Sequence, residues 1–383
     1  MLLVQDTQLA LIHIPLELYS SFLQPILQLL FLDEDECRNE TADSWAYDHP
    51  FVNISVTPIE CSIACSRDLA DELFVPVREA LGPRKREVSI TAEDYIVMQV
   101  DGEGLDAGQR VLELTSPLAM AGISIFFITT YFSDYILVPL RSRGQVISAL
   151  EKRGFAFDHH SSVYMNNPAA AATTTSSLHH RNASSTTSLE ALAPPGTPPP
   201  TSVSELQAKT FDTLRRRHIA PSVDPSIKLV HAAAAPTPPP APHRRPRPSS
   251  PTEDRLHLGL VKCLIARPRF LSLTLTDAEP ASVLLEQRLL AKFGAGPGAG
   301  VLLGAKQDVL VPVTLDLRAL PLESTGIVCG VAGRLVGGTA GARGVLEPVE
   351  MSYLSTARAG TVMVAEEELE RALSALRGMG EGG

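Results

Sequence analysis

The sequence predicts an α+β chain of four small βαββαβ units in two pairs, joined by a long segment that lacks the means to build a core. Three observations predict it. Apolar runs of strand length alternate with runs of helix length in one recurring order, before residue 160 and again after residue 255. The stretch PLAMAGISIFFITTYFSDYILVPLRSRGQVISALEKRG, starting at Pro117, shares its plan with RLVGG and PVEMSYLSTARAGTVMVAEEELERALSALRG, starting at Arg334 and Pro348. Of 30 prolines, 16 fall between Pro168 and Pro251, so the excess belongs to one segment.

Residues 9–14 (LALIHI) read as a strand and 19–32 as a helix despite Pro25. Residues 51–57 (FVNISVT) and 61–66 read as two strands around a tight turn, followed by a helix at 68–73. The order returns as a strand at 95–100 (YIVMQV), a helix at 106–121, a strand at 124–130 (SIFFITT), a turn at 131–134 and a strand at 135–138. A helix at 144–152 and a strand at 155–157 complete it, and βαββαβ in about 65–70 residues is the ferredoxin-like split βαβ plan. Farther on, 270–276 (FLSLTLT) reads as a strand, 280–292 as a helix, and 309–317 as a strand broken at Pro312. Then come an apolar strand at 326–331 (GIVCGV), a helix at 332–337, strands at 350–355 and 361–364, and a helix at 366–377. The expected boundaries are 1–87, 88–160, 255–320 and 321–383 for the units, with a linker over 161–254.

That linker carries AAAATTTSS, LAPPGTPPPTS and HAAAAPTPPPAPHRRPRPSSP, too poor in aromatic and β-branched aliphatic side chains to offset its ordering entropy. It is expected to be disordered, with one interruption. Residues 204–218 (SELQAKTFDTLRRRH) can form a short docking helix carrying Leu206, Phe211 and Leu214, with Arg215, Arg216 and Arg217 at its C-terminal end. Thr197, Thr237 and Ser250, each before a proline, are candidate phosphorylation positions, the last beside Arg244, Arg245 and Arg247; an inert tether is the plainer reading.

Composition excludes several classes. Lys plus Arg number 33 against 43 Asp plus Glu, a formal charge of -10, which is the wrong sign for gripping a phosphate backbone; nucleic-acid binding is not expected. The longest strongly apolar stretch, 122–132, falls short of the roughly 20 residues that cross a bilayer. The apolar N-terminal stretch lacks a basic region and a cleavage site and reads as folded structure. Five scattered cysteines suit a reducing, cytoplasmic setting, and without a signal the sequons at Asn39, Asn53 and Asn182 are chance matches.

The chemistry-bearing motifs are sparse. Cys61 and Cys65 fall on one face of a strand with no second Cys/His pair near them in sequence, so they read as small buried hydrophobes, and no metal or other cofactor is expected. The glycine loop at 293–304 (FGAGPGAGVLLG) follows a helix and leads to a strand, the reverse of a phosphate-cradling order. No histidine sits beside a plausible nucleophile or carboxylate pair, and an enzyme is not expected.

At PLAMAGISIFFITTYFSDYILVP, and at STGIVCGVAGRL with SYLSTARAGTVMV, the chain resembles the family of cytosolic arginine sensors (CASTOR-like) built from four ACT domains. The likeness extends to PFVNISVTPIECSIACSRDL and RFLSLTLTDAEPASVLLEQRLL. The resemblance implies a non-enzymatic amino-acid-binding regulator of TOR-type nutrient signalling, with its ligand between the second and fourth units and a protein complex upstream of TORC1 as partner. Carried over, the ligand-touching positions are Ser124, Ile125, Ser324, Gly326, Ile327, Val328, Thr356 and Gly360, and the partner-facing ones Tyr131 and Asp134. Where the family sets acids against a guanidinium this chain has Ser324 and Gly360, and Ala357 replaces an aromatic, so a neutral or smaller amino acid, or none, is expected. Arg358 raises the alternative of an acidic ligand. A regulatory ACT subunit acting on a biosynthetic enzyme, a ligand-free scaffold and a homodimer stay open at this point.

Overall fold

In the computed structural model, β1 (Leu2–Ile14) is a 13-residue strand that serves two groups of elements at once. Behind it come a 3-10 turn (Leu16–Phe22) opened by Pro15, helix α1 (Leu23–Phe31), strands β2 (Phe51–Val56) and β3 (Cys61–Ser66), helices α2 (Arg67–Leu69) and α3 (Val75–Ala80), and β4 (Ser89–Ile90). Their strands pair in the order β2-β3-β1-β4, the ferredoxin-like arrangement. Next are β5 (Tyr95–Asp101), α4 (Ala107–Met120), β6 (Phe126–Thr129), β7 (Ser133–Pro139) and α5 (Arg143–Glu151), in strand order β6-β7-β5. The free side of β5 is taken by residues 2–5 of β1, while residues 9–14 of β1 pair with β3.

The second half repeats the device. Helix α6 (Val203–Arg216) leads to β8 (Ser222–Val223) and β9 (Leu229–Ala234), then α7 (Pro251–Ile265), β10 (Leu271–Thr276), β11 (Ser282–Glu286) and β12 (Leu302–Leu303), in the order β12-β9-β11-β10. Strand β13 (Leu310–Asp316), helix α8 (Ile327–Val336), the β14 (Thr339–Ala340) and β15 (Leu346–Glu347) hairpin, β16 (Ser352–Ser355), β17 (Ala359–Ala365) and α9 (Leu369–Arg377) follow. Here the order is β16-β17-β13-β8, so β8 sits beside β13 as the start of β1 sits beside β5. The described residues are 2–31, 49–101, 107–157, 202–235, 251–294, 300–337, 339–340 and 346–377.

The groups join edge to edge. Strand β2 pairs with β10 and β6 with β16, and a contact of Leu229 with Leu310 closes β9 onto β13. The result is a ring in the order β9-β11-β10-β2-β3-β1-β5-β7-β6-β16-β17-β13. Period-two alternation sorts the side chains. Leu9, Leu11, Tyr95, Val97, Tyr135 and Leu284 meet inside the ring, whereas their neighbours Ala10, Ile12, Ile96, Met98, Ile136 and Val283 pack in the two clusters that include the helices. Strands buried on both faces read as continuous apolar runs, which is why they were legible.

The two seams differ. Between β2 and β10, Asn53 Nδ2 donates to Ser272 Oγ at 3.2 Å and Thr274 Oγ1 at 3.0 Å, and Ser55 Oγ donates to Asn53 Oδ1 at 2.8 Å. All four side chains are buried, and a one-residue slip would break both bonds from Asn53 across the seam. The burial of Asn53 also removes it as a glycosylation acceptor. Between β6 and β16 the ladder is a single pair, Leu354 with Ile128, braced by Phe127 N on Ser355 Oγ and Tyr353 N on Thr129 Oγ1, each at 3.0 Å.

Several sequence expectations change. The span expected to be a disordered linker, 161–254, contains α6, β8, β9 and the start of α7; residues 161–201 and 236–250, with the three proline-directed positions, lie outside the described residues. Strand β9 (LVHAAA) is short of bulky side chains, but ladders to β11 and β12 on either side hold it. Residues 282–286, expected to be helical, are a strand buried throughout between β9 and β10, so pairing overrides the helix propensity of leucine and glutamate. The expected strand at 326–331 is the first part of α8: Gly326 takes φ +79° as its N-cap, and its glycine face admits α6. A Cβ on Gly330 would lie 3.0 Å from Thr210 Cγ2, and one on Gly326 3.0 Å from Thr210 Oγ1.

Candidate functional site

Between β13 and α8 the chain turns sharply. Leu320 N donates to Leu317 O at 2.9 Å, and Ser324 donates to Pro321 O through both N and Oγ, at 3.1 and 2.7 Å. The Ser324 hydroxyl is thereby committed to the loop, and Gly326, as N-cap, gives α8 no side-chain cap. This helix end faces β6 of the second group and the β16–β17 hairpin of its own group. Among them lies a small cleft open to solvent, lined by Ile125 and Phe126, by Leu317, Leu320, Pro321, Leu322 and Ser324, by Ile327 and Val328, and by residues 353, 355–357, 359 and 360. A second, smaller space adjoins it, reaching Thr115, Ala119, Ile123, Gly326 and Cys329.

Ile125, Ser324, Ile327 and Val328 line both spaces, Thr356 and Gly360 the first, and Gly326 the second. Ser124, though buried, and Arg358 line neither. Among the described residues no charged side chain is in the linings; most lining residues are apolar, but polar groups make up about half of the surface they expose.

The wall at 356–358 is held from across the ring. Glu60, fully buried in the β2–β3 turn, accepts from Thr356 Oγ1 at 2.6 Å and from the Arg358 backbone N through Oε1, and Oε2 lies 2.5 Å from His13 Nδ1. Ser62 Oγ accepts from Ala357 N at 3.1 Å. The other half carries a counterpart: Glu279 in the β10–β11 turn accepts from Gln99 Nε2 at 2.9 Å, Tyr135 OH at 3.2 Å and Ser133 Oγ, and Ser282 Oγ accepts from Tyr131 N at 2.9 Å. The motif Thr-x-x-Glu, followed by a serine, stands at Thr57, Glu60 and Ser62 and again at Thr276, Glu279 and Ser282. Thr356 is thus bound to the first hairpin through its hydroxyl, a pairing that the sequence reading missed.

The two expected partner-facing residues part company. Tyr131 is 37% exposed and packs edge-on to Phe132, itself 41% exposed. Asp134 is fully buried, ion-paired to Arg110 Nε at 2.5 Å, so it cannot meet a partner. Burial pushes its carboxyl up, against the pull of the Arg110 charge.

Sequence reasoning also missed Leu317, Leu320, Pro321, Leu322 and Tyr353. Tyr353 is 1% exposed, and a Cβ on Gly360 would stand 2.6 Å from its hydroxyl, so the glycine makes room for the ring's end. An aromatic facing a strand glycine across a hairpin was the available signal. Cys61 and Cys65 are buried, and burial pushes the Cys65 thiol up to about 12, as suits inert core positions.

Residues 90–152 match the ACT domain family model, so the chain contains an ACT domain over the span from β4 through α5. No curated protein matches the sequence. Among solved structures, a protein of Agobacterium tumefaciens is 20% identical over 42% of this chain and 93% of its own, at a TM-score of 0.25. Aspartate kinase from Synechocystis is 11% identical over 98% of this chain, which spans 54% of that enzyme, at 0.30. The ligand-free regulatory subunit of aspartate kinase from Thermus thermophilus is 15% identical over 39% of this chain and 95% of its own, at 0.25. Scores this low carry no weight for the shared fold or the site.

Proposed function

We propose that the chain is a regulatory, non-enzymatic amino-acid-binding protein of four ACT-type units in two pairs, whose ligand lies between the second and fourth units. The observation that carries this reading is the cleft at the β6–β16 seam, where seven of the eight residues singled out from sequence line one of two adjoining spaces. The ligand's carboxylate would sit at the N-terminus of α8, where uncapped N–H groups and the helix dipole favour negative charge. Its remainder would occupy the apolar cleft. In this reading the protein acts in the cytoplasm on a partner complex of TOR-type nutrient signalling, and the exposed Tyr131 and Phe132 are the contact surface. For occupancy to become a signal, the ligand must bind one arrangement of the β6–β16 seam better than another.

The test is a thermal-shift screen of the full chain against the twenty amino acids at millimolar concentration. A ligand at a hundred times its dissociation constant adds about 2.7 kcal/mol to the folded state. A specific shift that Ser324→Trp abolishes is expected, since Ser324 lines both spaces and is only half-buried. No shift with any amino acid would refute the reading.

A further inference from the structure

We infer that the ligand is an amino acid with an uncharged, apolar side chain, and that the Tyr353 hydroxyl is the polar group that orients it. This rests on the site proposed above. The cleft's body is made by Ile125, Phe126, Leu320, Leu322, Ile327 and Val328. A guanidinium, ammonium or carboxylate side chain placed among them would give up its hydration with no counter-charge in return.

The charged groups on the surrounding elements are committed elsewhere. Glu60 is engaged by His13, Thr356 and the Arg358 N–H. Glu323, in the loop before α8, pairs with Arg141 at 3.2 Å, and Asp316, at the end of β13, pairs with Arg318 at 2.6 Å. The acidic-ligand alternative loses its base, because Arg358 lines neither space.

Tyr353 is the exception to an otherwise satisfied or apolar wall. It lines the cleft, the residue is 1% exposed, and among the described residues its hydroxyl makes no hydrogen bond within the protein while staying open to the cleft, unlike the buried, unpartnered Thr325 hydroxyl in the loop before α8. Burial raises its phenol further above the usual tyrosine range, so it stays neutral and can donate to a carboxylate or accept from an ammonium. A ligand's main-chain group would satisfy a hydroxyl that the protein leaves unmatched. Nothing comparable in the lining would match a charged side chain.

The experiment is titration calorimetry on the full chain with leucine, isoleucine, valine, methionine and phenylalanine against arginine, lysine, aspartate and glutamate, repeated in Tyr353→Phe and Gly360→Ala. The apolar set should bind at least about tenfold tighter than the charged set. Tyr353→Phe should weaken binding at least about tenfold, the effect of one hydrogen bond to a charged main-chain group, while moving the unliganded melting temperature by less than about 2 °C. Gly360→Ala, which crowds the hydroxyl, should weaken binding without deleting it. Tightest binding by a charged amino acid would overturn the ligand class and leave the site standing. Undiminished affinity in both variants would overturn the role of Tyr353. Binding by no amino acid would remove the site itself and this inference with it.

Discussion

Glu60→Ala is the substitution that bears most directly on how the candidate site is held. The carboxylate is fully buried, and it accepts from Thr356 Oγ1, from the Arg358 N–H and from His13, whose side chain is 13% exposed. Leaving a buried polar group without its partner costs about 1–3 kcal/mol, and Glu60→Ala removes the shared partner of Thr356, the Arg358 N–H and His13. The expected loss is therefore about 3–5 kcal/mol by urea denaturation. Glu60→Gln, which keeps an oxygen for Thr356 and the Arg358 N–H, should recover part of it. Because those two partners lie in the hairpin turn that walls the cleft, hydrogen exchange at residues 355–360 should rise in the alanine variant more than at the β2–β10 seam. Wild-type exchange at 355–360 together with a stability change under about 0.5 kcal/mol would refute the claim that the first hairpin braces the site.

Gly330→Leu should overpack the face on which α6 rests, costing about 1–3 kcal/mol, because a Cβ alone stands 3.0 Å from Thr210 Cγ2; limited proteolysis should then cut within 203–216. Asn53→Ala should cost about 1–3 kcal/mol in chemical denaturation, since it deprives Ser55, Ser272 and Thr274 of their shared partner in a buried seam. Burial lowers His231 to about 4, so the folded state excludes a proton that the unfolded chain takes up near the usual histidine value of about 6.5. Stability from this group is present above that value and is lost as pH falls toward 4; relative to His231→Phe, wild type should lose about 1–3 kcal/mol across that window, measured by denaturation at stepped pH. Glu286 is pushed up by burial but held below the usual carboxylate range overall by Arg288 and by the N–H groups of Arg269 and Phe270. Its contribution is present above about pH 4.3 and lost on further acidification, so Glu286→Gln should flatten the acid limb of the same profile.

Much of the fold was legible because burial on two faces leaves a local record. β5 and β7 pack apolar side chains on both faces, and β2, β10 and β17 on at least one, and their Val, Ile, Leu and Phe stood out without any knowledge of their neighbours. The failures came where neighbours supply what the segment lacks. Ala232, Ala233 and Ala234 have little to bury, yet β9 is a strand because β11 and β12 flank it. The run SVLLE has helix-forming residues, yet lies in a ladder with two strands. GIVCGV is apolar enough for a strand, but its glycines are a surface for α6, a helix that lies more than a hundred residues earlier in the chain.

The candidate site left less of a local record. Ile125, Ser324, Gly326, Ile327 and Val328 were named through the resemblance to the arginine sensors and not from their local pattern, which reads 326–331 as a strand where the structure has the start of α8. Asp134 was misread as a surface residue because nothing beside it shows that Arg110 and burial enclose it.

By itself, then, the sequence determined where most strands and helices alternate and the repeat that sets them in similar units. Those are properties of residues within about a dozen positions of one another. Only the tertiary structure decided that the strands close into a ring, that Glu60 reaches Thr356 across 296 positions, and that Tyr353 presents an unmatched hydroxyl beside Gly360. Each of those rests on which edge meets which, and edge pairing depends on backbone groups that every residue carries alike, so its register becomes specific only when the assembled faces bury their side chains together.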